Sequence, residues 1–303
     1  MEQYYSNGKL LLTAEYVVLD GAKALALPTS KGQTLEVTQG EKGILKWDSY
    51  HHDNSLWFSL SLALPNLEII KGEENPITQT LIHLLQILQE FNPQFLNGSS
   101  GYKVTSTLDF ARNWGLGSSS TLITNLASWA KADPYLMLQK SFGGSGYDIA
   151  CAKENTPITY QLNQGNPKVA NVVFTPNFKE HLFFVHLNQK QNSRQSIARY
   201  KDAKPEQLKP AIRQISQITE AILNTSSLTE FESLIEQHEI IISEIVQLPK
   251  VGDLHFSDYR AGITKSLGGW GGDFILATGT TSTIDYFKMK GYNTIIPFTK
   301  MIL

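Results

Sequence analysis

The sequence has 303 residues, of which 41% are apolar and 18% charged, and its formal net charge is −2. At roughly 150 residues per domain, this length predicts two modest domains or one large one. The composition is too apolar for a disordered chain and too evenly charged for a nucleic-acid-binding surface. We therefore expect no nucleic-acid partner.

The single cysteine, Cys151, excludes an internal disulfide and a metal site built from cysteines. The first residues lack the basic and apolar regions of a signal peptide. No apolar run approaches the ~20 residues that a membrane helix needs. These features lead us to expect a cytoplasmic protein.

The first half of the chain mixes short strands with helices. Apolar runs and alternating patterns predict strands at 10–12, 16–19, 24–25, 34–37 and 57–62. Asn75-Pro76 predicts a helix start, because Asn caps helices and Pro suits the first helical position. The elements that follow are the rest of this helix up to Asn92-Pro93, a strand at 102–108, a helix through 122–130 and a strand at 157–162.

The clearest loop in the sequence is 163–167, and it is where we predict a domain boundary. The predicted domains are residues 1–165 and 166–303. In the second domain the pattern predicts strands at 169–174, 182–187, 274–277 and 294–297, with long helices at 212–222 and 231–242. Strands and helices without regular βαβ alternation predict an α+β protein in two layers.

A glycine-serine loop follows the strand at 102–108. It comprises Gly115, Leu116, Gly117, Ser118, Ser119 and Ser120. Glycine allows a close approach of the backbone to a ligand, and the free N–H groups at the start of the next helix favour an anion such as a phosphate. By itself such a loop is more often a tight turn with a serine N-cap, so both interpretations stay open on these residues alone.

This loop resembles the second motif of the GHMP kinases, the family of galactokinase, homoserine kinase, mevalonate kinase and phosphomevalonate kinase. Ser120 replaces the usual alanine, and the proline that usually precedes the glycines is missing. The run from Gly8 to Tyr16 is similar to the family's first motif, with Ala14 where glycine is usual. The run 265–273 is similar to the third motif, with Trp270 in place of a glycine.

The resemblance implies a two-domain GHMP kinase fold, with an N-terminal nucleotide-binding α+β domain and a C-terminal ferredoxin-like α/β sandwich. It also implies that Mg·ATP binds between the domains, with its phosphates on the 115–120 loop and Ser119 contributing to the Mg²⁺ site. Gly268, Gly269 and Gly271 would close over the nucleotide. Some family members use a glutamate about eleven residues before the catalytic aspartate, and that position is Met137 here.

Asp148 follows a glycine cluster and precedes a short apolar stretch. It either caps a short helix or accepts the proton of a substrate hydroxyl, and the resemblance implies the second, catalytic role. The resemblance places Lys9 beside it, where an ammonium favours the ionised carboxylate and steadies the transferring charge. Without that context, Lys9 is equally an exposed lysine at a strand end.

The resemblance implies that Glu15, Tyr16, Ser145 and Gly146 bind the substrate. The segment from Gly144 to Ala150 is similar to that of phosphomevalonate kinases, whose substrate carries a phosphate. Lys190, Ser193 and Arg194 offer two cations and a helix start for such a group, unless they form a solvated loop with a helix cap. Arg112, beside the glycine-serine loop, is a further candidate for a phosphate contact.

The resemblance implies ATP-dependent phosphorylation of a small alcohol or phosphate acceptor, with phosphomevalonate or mevalonate favoured, hence a role in isoprenoid biosynthesis. The expected partner is then a small-molecule substrate, with no nucleic-acid or membrane partner, and we expect a monomer or a homodimer. Three alternatives remain: a GHMP kinase for another alcohol such as a sugar or homoserine, mevalonate diphosphate decarboxylase, and a non-catalytic binding protein. His238, in a helical pattern, is expected to be a packing or surface residue.

Overall fold

The computed structural model describes residues 1–189, 193–202, 208–270 and 272–303, and it describes no side chains at 193–196 and 199. The chain divides into two compact units. The first unit comprises residues 1–8, 31–112 and 116–153, and the second comprises 9–30, 113–115 and 154–303. Two strands continue from one unit into the other along the chain, β1 (Glu2–Leu11) and β2 (Ala24–Gln39).

The first unit combines an open sheet with four helices. Its further elements are β3 (Ile44–Tyr50), β4 (Leu56–Ala63), β5 (Glu68–Lys71), α1 (Pro76–Phe91), β6 (Tyr102–Leu108), α2 (Ser118–Ala130), α3 (Pro134–Ser141) and α4 (Tyr147–Ala152). The strand order is β5-β4-β3-β6-β2. Only the β3–β6 pair is parallel among these neighbours, and the buried faces of α1, α2 and α3 pack on the sheet in one hydrophobic core.

The predicted start of α1 is confirmed. Asn75 Oδ1 accepts hydrogen bonds from the N–H groups of Ile77 and Thr78, at 2.9 and 3.0 Å, and Pro76 opens the first turn. These contacts satisfy two of the backbone donors that a helix start leaves unpaired. The helix ends at Phe91, as the Asn92-Pro93 pair predicts.

The second unit holds a four-stranded antiparallel sheet in the order β10-β11-β9-β12. Its elements are β7 (Ile158–Asn163), β8 (Asn166–Asn171), β9 (Leu182–His186), α5 (Ser193–Asp202), α6 (Leu208–Asn224), α7 (Leu228–Val246), α8 (Val251–His255), β10 (Thr264–Ser266), β11 (Phe274–Thr278), α9 (Thr281–Met289), β12 (Ile295–Pro297) and α10 (Phe298–Met301). Helix α7 contacts both α6 and β10. The predicted α+β class is thus confirmed.

The loop predicted at 163–167 is instead the turn of the β7–β8 hairpin. Gln164 and Gly165 both have positive φ angles, 50° and 84°, which suits a two-residue turn between antiparallel strands. The two compact units accordingly differ from the predicted domains 1–165 and 166–303. Residues 9–30 belong to the same unit as α6, and Thr13 Oγ1 lies 2.8 Å from Oγ1 of Thr219 on that helix. A single domain boundary between these two residues would separate them.

The strand predicted at 16–19 is wrong. Val17–Asp20 forms a 3₁₀ turn, entered through Ala14 and Tyr16, which have φ angles of 69° and 64°. Positive φ is incompatible with an extended strand, so the apolar run is buried in a turn instead. Within the described ranges, none of the helices combines the length and apolar character needed to cross a bilayer.

Candidate active site

The segment 113–115 is anchored on the sheet of the second unit. His186 Nε2, on β9, lies 3.1 Å from the backbone oxygen of Asn113. The ring of Trp114 packs edge-on against Phe274 of β11, with 5.6 Å between the ring centroids. These two contacts determine where Gly115 lies, at the start of the glycine-serine loop.

Residues from all three motifs meet around Gly115. Lys9 Nζ, from β1, donates a hydrogen bond to the Gly115 oxygen at 3.1 Å. A Cβ on Gly115 would overlap the carboxyl group of Asp273, and a Cβ on Gly268 would lie 3.5 Å from Asp273 Oδ2. The second unit therefore brings together Lys9, Gly115, Gly268 and Asp273, which are widely separated in the sequence.

Replacing Gly115 with alanine should destabilise the protein by more than its backbone conformation alone would cost. Gly115 and Gly143 both have φ +67°, but only Gly115 faces another group where a Cβ would lie, whereas Gly143 has open space there. The left-handed conformation costs an alanine about 1–2 kcal/mol. Urea unfolding should give a loss of that size for Gly143→Ala and a clearly larger loss for Gly115→Ala. Equal losses in the two variants would show that the Asp273 carboxyl moves away without cost.

Helix α2 begins with unpaired backbone donors. Its N-cap is Gly117, with φ +89°, and no side chain caps the helix start. The serine N-cap considered in the sequence is therefore not found, because Ser120 Oγ donates to the Gly117 oxygen at 2.8 Å instead. Ser119 is exposed at this end and Ser118 is half-buried, while the Leu116 side chain is fully buried. Such a helix start can bind an anion.

Asp148 lies in the first turn of α4 and is not the N-cap of that helix. The N-cap is Gly146, with φ +86°, and Ser145 Oγ accepts a hydrogen bond from Tyr147 N at 3.5 Å. The Asp148 side chain is half-buried, and its Oδ1 accepts from Ile149 N at 3.1 Å. Because α2 and α4 pack against each other in the first unit, the Ser118–Ser120 turn and Asp148 belong to two helices in contact.

The two predicted substrate ligands that follow β1 are buried. The Glu15 side chain has no exposed surface, and its Oε1 lies 2.5 Å from Lys265 Nζ. Tyr16 is 8% exposed, and its ring packs 5.6 Å from that of Tyr200. This burial favours a supporting role for both residues over a direct contact with substrate.

The two departures from the family's glycines share one backbone conformation. Ala14 has φ 69° and Trp270 has φ 60°, in the left-handed region that glycine occupies without strain. Both side chains are buried, and Trp270 Nε1 donates to the Pro249 oxygen at 3.0 Å. Both positions thus keep a backbone conformation that glycine adopts without strain.

The structure limits the protein ligands available to a metal. Met137, at the position where the resemblance would place a glutamate, is fully buried in the hydrophobic core of the first unit and offers no acidic side chain. Over the described part of the chain, no group of three His, Cys, Asp or Glu residues could hold a metal ion. Ser119, the one metal ligand predicted from the sequence, has an exposed side chain.

Some predicted phosphate ligands cannot be placed. Lys190 and Gly271, and the side chains of Ser193 and Arg194, lie outside the described residues, although α5 does begin at Ser193. Arg112 is described: its guanidinium carbon lies 3.6 Å above the ring of Trp57. This cation–π contact accounts for the position of Arg112 without any ligand.

Sequence reasoning missed one group of buried charges altogether. Lys265 and Glu239 join Glu15 in the interior of the second unit, together with His238, which is fully buried within α7. Nothing in their local sequence distinguishes them from surface residues. Asp273, the last residue of the third motif, also received no role, although two of the motif glycines pack on it.

The sequence matches no protein-family model, and no curated protein matches it. Solved structures are similar to it over nearly the full chain. L. major mevalonate kinase in complex with R-mevalonate has a TM-score of 0.68 at 17% identity, covering 96% of this chain and 91% of that one. Streptococcus pneumoniae phosphomevalonate kinase, in complex with phosphomevalonate and AMPPNP, has 0.70 at 15% identity, covering 96% of each chain.

Lactococcus lactis galactokinase, complexed with galactose, is similar to the same extent. Its TM-score is 0.70 at 12% identity, and the match covers 98% of this chain and 93% of that one. Identities this low carry information about the fold and none about the substrate. The chain has the fold of the GHMP kinases.

Proposed function

We propose that this protein is an ATP-dependent small-molecule kinase that phosphorylates an alcohol or a phosphate acceptor, with phosphomevalonate or mevalonate as the favoured substrates. The observation that carries the proposal is the meeting of Lys9, Gly115, Gly268 and Asp273 in one place. A glycine whose Cβ would overlap a neighbouring carboxyl marks a backbone built to pass close to another group. The contacts of Lys9, Gly115, Gly268 and Asp273 support one site built from residues of all three motifs.

The start of α2 is the proposed phosphate cradle. Its uncapped N–H groups and the positive end of the helix dipole neutralise part of the charge of the triphosphate. Mg²⁺ fits this site only if phosphate oxygens of the nucleotide complete its coordination, because Ser119 is the one predicted protein ligand left. When bound, the ion would neutralise charge on the phosphates.

Asp148 is the proposed proton acceptor. The acceptor oxygen attacks the γ-phosphorus, the bond from that phosphorus to the ADP oxygen breaks, and the proton of the acceptor passes to the Asp148 carboxylate. Lys9 supplies positive charge to the transferring phosphoryl group through its ammonium. Positioning and charge neutralisation of this kind provide most of the catalysis in phosphoryl transfer.

The absence of an acid at Met137 supports the phosphomevalonate branch within this proposal, as does the Gly144–Ala150 segment. A phosphorylated substrate needs further cations, and Lys190 and Arg194 are proposed to supply them. The same kinase chemistry on a sugar or on homoserine differs only in the pocket that holds the acceptor.

Incubation of the purified protein with Mg·ATP and a panel of acceptors tests the proposal. The panel contains phosphomevalonate, mevalonate, mevalonate diphosphate, galactose and homoserine, with products identified by mass spectrometry. We expect ADP and a singly phosphorylated product from one of the first two. Release of CO₂ and phosphate from mevalonate diphosphate would instead identify a decarboxylase. ATP binding without turnover of any acceptor would favour a binding protein.

A further inference from the structure

Four titratable side chains lie together in the interior of the second unit. Glu15 follows β1, His238 and Glu239 lie on α7, and Lys265 lies on β10. Lys265 Nζ is 2.5 Å from Glu15 Oε1 and 3.6 Å from Glu239 Oε1, and His238 Nε2 is 3.3 Å from Glu15 Oε2. Each of these side chains is at most 2% exposed.

The formal charges of this buried cluster do not balance. His238 Nε2 accepts the N–H of Ala14 at 2.8 Å, so this nitrogen carries a lone pair and the ring is neutral. Among the described residues, Lys265 is then the only positive charge in contact with the two carboxyl groups. A second buried negative charge without a partner is costly, and a carboxyl in that position takes up a proton instead.

The unpaired atoms of the cluster point to the same conclusion. Glu15 Oε2, His238 Nδ1 and Glu239 Oε1 have no hydrogen-bond partner among the described residues. Glu15 Oε2 and His238 Nε2 are both acceptors when Glu15 is ionised, so at 3.3 Å they repel each other unless the carboxyl carries a proton. The other Glu239 oxygen is satisfied, because it accepts from Ser266 N and Ser266 Oγ at 2.9 and 2.8 Å.

Three described charged groups on neighbouring elements are already paired, and a fourth lies on an exposed side chain. Lys250 pairs with Asp253 of α8 at 3.5 Å, and Lys23, which precedes β2, pairs with Glu220 of α6 at 2.6 Å. On α5, Tyr200 donates to Asp20 at 2.7 Å. Glu236, one turn from Glu239 on α7, is exposed. None of these contacts adds a positive charge to the cluster.

We propose that one proton is shared between the carboxyl groups of Glu15 and Glu239, both of which lie beside the Lys265 ammonium. Glu15, held in this way, positions the turn at Ala14–Tyr16. The backbone of that turn is strained, with positive φ at Ala14 and Tyr16. It is held by the bond from Ala14 N to His238 and by the pairing of Glu15 with Lys265. Glu15 is thus a positioning residue that contacts no substrate, and this assignment does not depend on the proposed kinase activity.

The directions of the pKa shifts agree with this charge count. Burial raises the pKa of Glu15 to about 7, even though Lys265 acts in the opposite direction. Burial also raises the pKa of Glu239, again against the effect of Lys265. Burial lowers the pKa of His238 well below its usual value, with a smaller contribution from Lys265, so the ring stays neutral when the carboxyls titrate.

The direct test is a pH titration of protein labelled with ¹³C at the glutamate side-chain carboxyl carbons, followed by NMR. In the wild type we expect one carboxyl of the cluster to titrate well above the ordinary glutamate range. In Glu239→Gln, Glu15 pairs alone with Lys265, so its midpoint should fall towards that range. Glu15→Gln should act likewise on Glu239, whereas Glu236→Gln, on the exposed side of the same helix, should leave the high midpoint unchanged. If no carboxyl titrates high in the wild type, or if Glu239→Gln leaves the Glu15 midpoint in place, the proposal is overturned.

A second measurement uses the wild type and one conservative variant. The folded protein binds the shared proton more tightly than the unfolded chain does, so stability from this site falls as the pH rises from 4.5 towards 7. Glu15→Gln imitates the protonated carboxyl, so it should remain folded and lose much of this pH dependence in urea unfolding. Glu15→Ala should also lose stability throughout the range, because the turn loses its anchor. An unchanged pH dependence in Glu15→Gln would contradict the shared proton.

Discussion

Asp148→Asn is expected to lower kcat for phosphoryl transfer by about 10³-fold while leaving the dissociation constant for Mg·ATP nearly unchanged. Asparagine keeps the size of the side chain and its place in the first turn of α4, but it cannot accept the proton of the acceptor hydroxyl. A coupled ADP assay gives kcat, and isothermal titration calorimetry gives nucleotide binding.

Asp133→Asn is the matched control for that experiment. Asp133 is the N-cap of α3, where its Oδ1 accepts from Tyr135 N at 2.8 Å, and asparagine caps a helix equally well. The control should keep full activity and stability. If Asp148→Asn turned over acceptor at the wild-type rate, Asp148 would have no part in proton transfer.

Lys265→Met is expected to destabilise the second unit by about 3–5 kcal/mol at neutral pH, because the negative charge that remains on the two buried carboxyl groups loses its ammonium partner. The methionine fills nearly the same volume, so the loss reflects charge rather than a cavity. Because the carboxyl groups bind protons at lower pH and lose their charge, the loss in unfolding free energy should become smaller as the pH is lowered towards 5. Chemical denaturation at several pH values measures it.

Lys23→Met provides the comparison, since it breaks an ion pair of nearly the same length. Lys23 Nζ lies 2.6 Å from Glu220 Oε1, but these side chains are 31% and 58% exposed. A solvated pair of this kind contributes about 0–1 kcal/mol. A loss for Lys265→Met no larger than that for Lys23→Met would mean that water reaches the buried pair.

Local signals in the sequence were enough for much of the fold. The Asn75-Pro76 pair predicts the start of α1 because a cap and a proline act within one turn. The same signals at Asp133-Pro134 begin α3, which the apolar spacing did not reveal because the helix has only eight residues. The strand predicted at 16–19 is wrong for a different reason. Alanine and tyrosine rarely adopt positive φ, so residue type alone did not predict the turn there.

The candidate site divides in the same way. Its glycines and Asp148 could be proposed from the sequence, since conformational freedom and a carboxylate are properties of single residues. The charge cluster could not, because Lys265 and Glu239 resemble surface residues until tertiary packing encloses them. Met137 is an intermediate case. The absence of an acid at this position is visible in the sequence, but the burial of the methionine side chain in the core was not predictable from it.

The division of the second unit into three stretches of chain has a practical consequence for dissecting the protein. A fragment ending at residue 165 would carry residues 9–30 but not the helices that receive Thr13 and Ala14, so its N-terminal segment would keep apolar surface and backbone donors without partners. The complementary fragment would lack Glu15, whose carboxyl group pairs with Lys265. Neither half is suited to expression by itself, and limited proteolysis at the 164–165 turn should yield two pieces that stay associated until denatured.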